Sequence, residues 1–525
     1  MKLFSIAALT TAVLLGSSVS ALALERGGVM TYGRYTDSLF LDPVLNDANV
    51  DIWILTNIYD TLISPSKDGL GLEPNLATEW ALNAAGDEVT LKLREGVKFS
   101  DGTPMTAEDV VWSLTRAANP DNGIWNSLDA SIDTVTAADA GTIVIKLKYP
   151  DPTILSALSV FNTAIMPKAA FEATPGATDK EKAEAFAQKP IGTGPFMLES
   201  WERGASMKLV KNPNYWAMGE DGQPLPYLDG VTFEIIPDDA TRILKLQSGD
   251  IQGAEFIPFA RVAELKADEK LNMELFPSTK VNDIIINVRP MIGDRENPLS
   301  DEKVRQAMNY AVNKDAIIQV VTFGVGMPMT SFMASTTPMH SGNGPLYPYD
   351  VEKAKALMAE SKYPDGFSTS ILTLAGNQDE LGTATALQQM WGAIGVKLEI
   401  KQVDNASRTE QYRAGTFDMR AGAWTNDISD ASQITSYFAY SPTIDALHSG
   451  WKSDEVDGLF VASQKEMDAT KRAEQFARIQ EIFNASGPTI PLYETPYPVA
   501  LSKSVNGFYQ IPLGNNVFRE AWMAK

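Results

Sequence analysis

The stretch LREGVKFSDGTPMTAEDVVWSL, Leu93 to Leu114, passes from a strand through a turn into a helix. Just upstream, Val89, Leu91 and Leu93 alternate with polar residues, and a period of two marks a half-buried strand. In Asp101-Gly102-Thr103-Pro104, glycine and proline make a turn that delivers Thr106 to a helix start. Thr106 and Asp109 have the spacing of a capping box, in which each side chain serves the other residue's backbone N–H. Val110, Val111, Leu114, Ala117 and Ala118 then fall on one apolar stripe.

The same alternation of element types continues in both directions. Ile143, Ile145 and Leu147, then Val231, Phe233 and Ile235, then Val396, Leu398 and Ile400 have the period of strands. Ser300 is read as the cap of a second helix, with Asp301 and Glu302 at its positive end and a stripe of Val304, Ala307, Met308, Ala311 and Val312. A third helix runs from near Glu380 to Ile394 through Leu387, Met390 and Trp391. Gly395 supplies its left-handed stop before the next strand. The segment from Ala173 to Lys189, polar and alanine-rich, reads as an exposed helix or linker. Asn119 to Gly123 and Met339 to Tyr349 read as loops. No internal repeat or low-complexity segment interrupts the pattern, which predicts an α/β protein of more than one domain.

At the N-terminus, Lys2 precedes an apolar run from Leu3 to Leu15 and the small-residue pattern Ala21-Leu22-Ala23. This order predicts a secretory signal peptide over residues 1–23. No later stretch approaches the roughly 20 apolar residues of a membrane span. The chain of 525 residues contains no cysteine, which excludes disulfides, thiolate metal sites and lipid attachment through an N-terminal cysteine. Its net charge of −22 argues against nucleic acid as a partner, since neutralising phosphates needs a basic surface.

Motifs for catalysis are missing. The two histidines, His340 and His448, are far apart and lack ligands at metal-binding spacing. There is no G-x-S-x-G elbow. Gly192-Thr193-Gly194 and Gly324-Val325-Gly326 are fragments that complete no phosphate-binding loop. Carboxylate pairs are plentiful, so an exported hydrolase stays open as an alternative, but none is singled out.

The Leu93–Leu114 stretch resembles the hallmark segment of the peptide/nickel-type, family 5, extracytoplasmic solute-binding proteins of ABC importers. Further blocks agree in the family's order: Leu41-Asp42-Pro43, LEPNLATEW from Leu72, PIGTGPF from Pro190, Asn212-Pro213-Asn214-Tyr215-Trp216, and LQSGD from Leu246. PLSDEKVRQAMNYAVNK from Pro298, YDVEKAKALM from Tyr349, Gly395-Val396 and Phe417-Asp418-Met419 follow. The resemblance implies a periplasmic-binding-protein-like fold of two α/β lobes joined by a hinge, with an extra α/β domain inserted in the first lobe. The first lobe would take residues 24–63, 193–287 and 496–525, the inserted domain 64–192, and the second lobe 288–495. It further implies a non-catalytic protein of the Gram-negative periplasm, monomeric and without cofactor. Such a protein captures a small peptide or cationic amine by hinge closure and delivers it to an ABC permease at the inner membrane. An opine, an oligosaccharide or a nickel chelate is the alternative ligand.

Trp424-Thr425-Asn426-Asp427 is the candidate ligand segment. In peptide-binding relatives the aspartate three residues after this tryptophan pairs with the ligand's α-ammonium, and Asp427 matches by position. Read from the residues alone, the favoured role of Asp427 is a cap for a helix from Ile428 to Phe438. Trp424 is either a pocket wall or a core residue. Tyr35, Thr36 and Trp125 are further candidates whose plainer reading is structural. No arginine can be assigned to a ligand carboxylate: Arg408, Arg413 and Arg420 lie nearby in sequence without matching a motif.

Overall fold

The computed structural model describes residues 24–46, 48–123, 125–343, 347–442 and 447–524. The expected signal peptide therefore lies outside the described residues. Among the described residues no helix is long and apolar enough to cross a membrane.

Three sheets organise the chain. The first has seven strands, in the order Leu271–Phe276, Tyr497–Ser502, Gly253–Ala254, Val29–Arg34, Gly230–Ile235, Ser206–Lys211 and Phe196–Glu202. Its centre is parallel, with Val29–Arg34 flanked by Gly230–Ile235 and Gly253–Ala254. Val231 and Phe233, two of the alternating residues, are fully buried there, and each such side chain contributes about 1.5–3 kcal/mol. Ile235 is only half-buried at the strand's end. The second sheet has six strands, in the order Met327–Pro328, Thr489–Glu494, Val281–Ile286, Met419–Trp424, Phe367–Leu374 and Val396–Val403. The third is antiparallel, in the order Ala77–Leu82, Glu88–Leu93, Thr142–Leu147 and Ile132–Asp139.

The capping box forms as expected: Asp109 N–H donates to Thr106 Oγ1 at 3.2 Å, and Thr106 N–H donates to Asp109 Oδ2 at 2.9 Å. The helix Ala107–Ala117 lays Val110, Leu114 and Ala117 into buried positions, while Val111 and Ala118 stay half-exposed at the stripe's edge. Gly395 takes φ 84° after the helix Gln378–Gly392, and the strand Val396–Val403 follows at once.

One cap is corrected and one open reading is decided. The helix Glu302–Tyr310 is capped by Asp301, whose Oδ1 accepts from Lys303 N–H at 2.9 Å. Ser300 belongs instead to a preceding 3-10 turn that Asn297 caps. Of the two readings of the segment 173–189, helix or linker, the structure takes the helix. The segment holds the helix Asp179–Phe186, started by a Thr178–Glu181 capping box, and buries Ala183, Phe186 and Ala187 in the first-lobe core.

The chain passes between the first and second sheets twice, at 277–280 and at 495–496. Hydrogen bonds tie the two passages together. The Ser278 hydroxyl donates to the Thr495 carbonyl, and Thr495 N–H donates to the Lys280 carbonyl at 3.4 Å. The molecule is thus two α/β lobes joined by a paired crossing, with the four-stranded unit carried on the first lobe.

Candidate functional site

The strand Met419–Trp424 runs through the second sheet and ends between the lobes. The loop after it leads to the helix Ala431–Phe438, which is capped by Asp430 and not by Asp427. Asp430 Oδ1 accepts from Ser432 N–H at 2.8 Å, and Arg472 holds both carboxylate oxygens at 2.6 and 2.8 Å. Arg472 and Asp430 are both buried. The helix start is therefore satisfied without Asp427.

Asp427 is engaged on one side only. Its N–H donates to Gln433 Oε1 at 2.8 Å, and Gln433 Nε2 donates to its Oδ2 at 2.9 Å. Among the described residues no partner reaches Oδ1. Burial pushes the Asp427 carboxyl up to about 6, against the opposing pull of the Gln433 hydrogen bond. A carboxylate in this state gains from any cation brought to it.

Three adjoining cavities make a cleft around this group. One of ≈390 Å³ lies between the inserted domain's Trp125, Tyr149 and Asp151 and the second lobe's Trp424, Asp427 and Gln433. A second of ≈380 Å³ shares Trp424 and Asp427, and is closed on the first-lobe side by Tyr35, Trp53, Phe256 and Tyr497. A third of ≈610 Å³ shares Tyr35, Phe256, Lys280 and Tyr497 with it and extends to Asp239 and Asp379. Volumes of several hundred Å³ with aromatic walls and a few polar groups suit a small organic ligand. A separate ≈70 Å³ cavity beside Asp60 and Arg519 is too small for one.

The aromatic wall is built rather than incidental. Phe256 stacks on Trp53 at 5.2 Å and meets Tyr35 at 4.6 Å. Phe256 sits at φ 53°, a strained conformation for a bulky residue that persists only where its surroundings hold it. Buried Arg242 holds it, donating to the Phe256 carbonyl at 3.2 Å and to the Ile236 carbonyl at 2.6 Å. Gly514, at φ 98°, backs the wall: a Cβ there would overlap the Trp53 indole nitrogen. Burial and the charge of Glu255 push the Tyr35 phenol up to about 12, and burial with the charge of Asp427 raises Tyr497. Both present neutral rings and hydroxyls at neutral pH.

Of the residues singled out in the sequence, Asp427, Trp424, Thr425 and Tyr35 line the same ≈380 Å³ cavity. Trp424 also packs against Tyr437 with ring centroids 4.0 Å apart. Trp125 lines the neighbouring cavity while its Nε1 donates to the Asn46 carbonyl at 2.7 Å. Asn426 turns away. It is 1% exposed, its N–H donates to Thr279 Oγ1 at 2.9 Å, its Nδ2 donates to Thr337 Oγ1 at 3.3 Å, and its Oδ1 accepts from Trp424 Nε1 at 3.2 Å. It anchors the loop to the crossing. Thr36 is half-buried and lines none of the three cavities. Arg408 pairs with Glu380 at 3.0 Å, and Arg420 stacks on Tyr412 at 3.9 Å. Neither they nor Arg413 lines the cleft.

Sequence reasoning did not find Trp53, Phe256, Lys280, Gln433 or Tyr497. Gln433 lies six residues after Asp427, within one loop–helix unit, and is the one a local search could have found. The others come from distant segments.

The lobes touch beside Asp427. The Ser429 hydroxyl donates to the Gly69 carbonyl, and Ser156 Oγ donates to the Ser429 carbonyl at 3.4 Å. Ile428 joins the core of the first lobe.

Comparison with known proteins gives a consistent result. The family model described as bacterial extracellular solute-binding proteins, family 5 middle, matches residues 71–445. The glutathione-binding protein GsiB of Salmonella typhimurium is 28% identical over 508 residues, covering 95% of each chain. The structure of HbpA2 from Haemophilus parasuis superposes with a TM-score of 0.81 at 26% identity, over 94% of this chain and 100% of that one. DppA from Helicobacter pylori, solved in complex with the peptide STSA, superposes with a TM-score of 0.77 at 26% identity, over 95% and 99%.

Proposed function

Since the chain belongs to the bacterial extracellular solute-binding proteins of family 5, we propose that its solute is a short peptide or peptide-like amine whose ammonium is anchored by Asp427. The observation that carries this reading is the half-satisfied Asp427 carboxylate in a cleft walled by both lobes. A charge-assisted bond to an ammonium contributes about 1.5–3 kcal/mol. Trp424, Tyr35 and Trp53 offer faces for the solute's backbone and apolar groups. Glutathione and the peptide STSA, named for the relatives GsiB and DppA, belong to the same chemical class.

The protein acts by binding and not by turnover. The solute enters between open lobes, the lobes rotate about the paired crossing at 277–280 and 495–496, and the closed form docks on an ABC permease at the inner membrane. On this reading the protein works in the periplasm as a monomer, and we propose a lobe boundary at 277–280, where the chain leaves the first sheet for the second. The first lobe then takes 24–63, 193–276 and 497–524, and the inserted domain takes 64–192.

A thermal-shift panel of di- and tripeptides, glutathione, and their N-acetylated forms tests the class. A ligand at 100 times its Kd stabilises by about 2.7 kcal/mol. Free amines are expected to raise the melting temperature and acetylated ones not to. A panel in which sugars shift the protein and free-amine peptides do not would overturn the reading.

A further inference from the structure

We propose that Lys280 is the second anchor of the site and receives an anionic group of the solute, so that the ligand is a compact zwitterion held between Asp427 and Lys280. This rests on the reading of Asp427 as the ammonium anchor.

Among the described residues lining the three cavities, Lys280 is the one cation, beside Asp151, Asp239, Asp379 and Asp427. It shares the ≈380 Å³ cavity with Asp427 and also lines the ≈610 Å³ cavity. A purely cationic solute held by Asp427 would meet this ammonium across a cavity with aromatic walls. A solute carrying one charge of each sign would satisfy both groups.

The simpler role for Lys280 is to neutralise a protein carboxylate. Asp379 faces it from the second lobe, and the two charges act on each other. They form no ion pair, however: among the described residues Lys280 Nζ has no carboxylate within 4.0 Å. Burial lowers the Lys280 ammonium, so it gains from a closer anion than Asp379 supplies. Its backbone is fixed, with N–H donating to Ser278 Oγ at 3.0 Å and the carbonyl accepting from Thr495. The ammonium is therefore presented from the crossing itself, where both connections between the lobes are tied together. A solute reaching from Asp427 to Lys280 would span the second lobe and the hinge.

The test is titration calorimetry at pH 7.5 with the tripeptide Ala-Ala-Ala and its C-terminal amide, on wild type and Lys280→Met. Methionine keeps the length of the stem, and the acid-to-amide affinity ratio within one protein is independent of how much of it is active. We expect wild type to prefer the acid by about 10- to 100-fold, and Lys280→Met to bind the two within about threefold. Equal affinity of wild type for acid and amide, or an unchanged preference in Lys280→Met, overturns the assignment of Lys280 and leaves that of Asp427 standing. Failure of wild type to bind either form overturns both.

Discussion

Asp427 and Gln433 exchange two hydrogen bonds, backbone N–H to amide oxygen at 2.8 Å and amide nitrogen to carboxylate at 2.9 Å. The pair engages Oδ2 and leaves Oδ1 without a hydrogen-bond partner among the described residues, on a side chain that lines the cleft. Gln433 stands on a helix whose start is held by a different aspartate, Asp430. Anchoring the helix thus falls to Asp430, three residues on, which leaves Asp427 for the proposed ammonium contact.

The first consequence is a pH dependence of binding. With its carboxyl pushed up to about 6 by burial where the lobes meet, Asp427 must lose a proton before it can pair with an ammonium there. Affinity for free-amine peptides is expected to be level above about pH 7 and to fall as pH drops through 6, by up to about tenfold per unit. Calorimetry from pH 5 to 8 checks this. Proton release on binding near pH 6, read from buffers of different ionisation enthalpy, would accompany it.

The same burial costs the free protein stability. An acid whose folded value lies above its unfolded one stabilises the fold at low pH and loses that contribution as pH rises through the folded value, here from about 4 to 6. Asp427→Asn removes the buried charge and keeps an acceptor for Gln433. At pH 8 it is expected to raise the unfolding free energy by up to about 3 kcal/mol, and at pH 4 to change it little. Thermal melts of the ligand-free proteins at the two pH values measure the difference.

Asp430 is expected to behave in the opposite way. Asp430→Ala removes a helix cap and leaves Arg472 buried without its partner, a loss of about 3–5 kcal/mol. A urea unfolding midpoint well below that of wild type at pH 7 is the expected result. Adding Arg472→Met to Asp430→Ala should recover part of the loss, because the orphaned charge is then gone.

Ile428, Ser429, Gly69 and Ser156 form the contact between the lobes nearest to Asp427. Ile428→Ser withdraws an apolar side chain from the first-lobe core in the closed form without touching Asp427 or Lys280. It is expected to weaken ligand affinity about tenfold or more through the closure equilibrium alone. Small-angle scattering should show a larger radius of gyration for the ligand-free variant than for ligand-free wild type.

Much of the fold was legible because its signals are local. Alternation at Val89–Leu93 and Val231–Ile235, the Thr106 box and the Gly395 stop each need only a few neighbouring residues. Where local signals tie, the reading slipped. Ser300 and Asp301 are adjacent cap residues, and Asp427 and Asp430 both precede the same helix, so the choice fell to Arg472 and to packing. Asn426 looked like Asp427's partner in the site, yet hydroxyls from Thr279 and Thr337, 147 and 89 residues away in sequence, turn it inward. The aromatic wall draws on residues 35, 53, 256 and 497, and no pattern along the chain connects them. Lys280 was invisible for a related reason: that it forms no ion pair among the described residues while lining the cavity with Asp427 shows only in three dimensions.

The central claim is tested most directly by titrating wild type and Asp427→Asn with one free-amine tripeptide at pH 8, with circular dichroism confirming that both are folded. The account predicts that the asparagine variant binds at least about 100-fold more weakly, although it is the more stable protein without ligand. A folded Asp427→Asn protein that binds the peptide with wild-type affinity would contradict it.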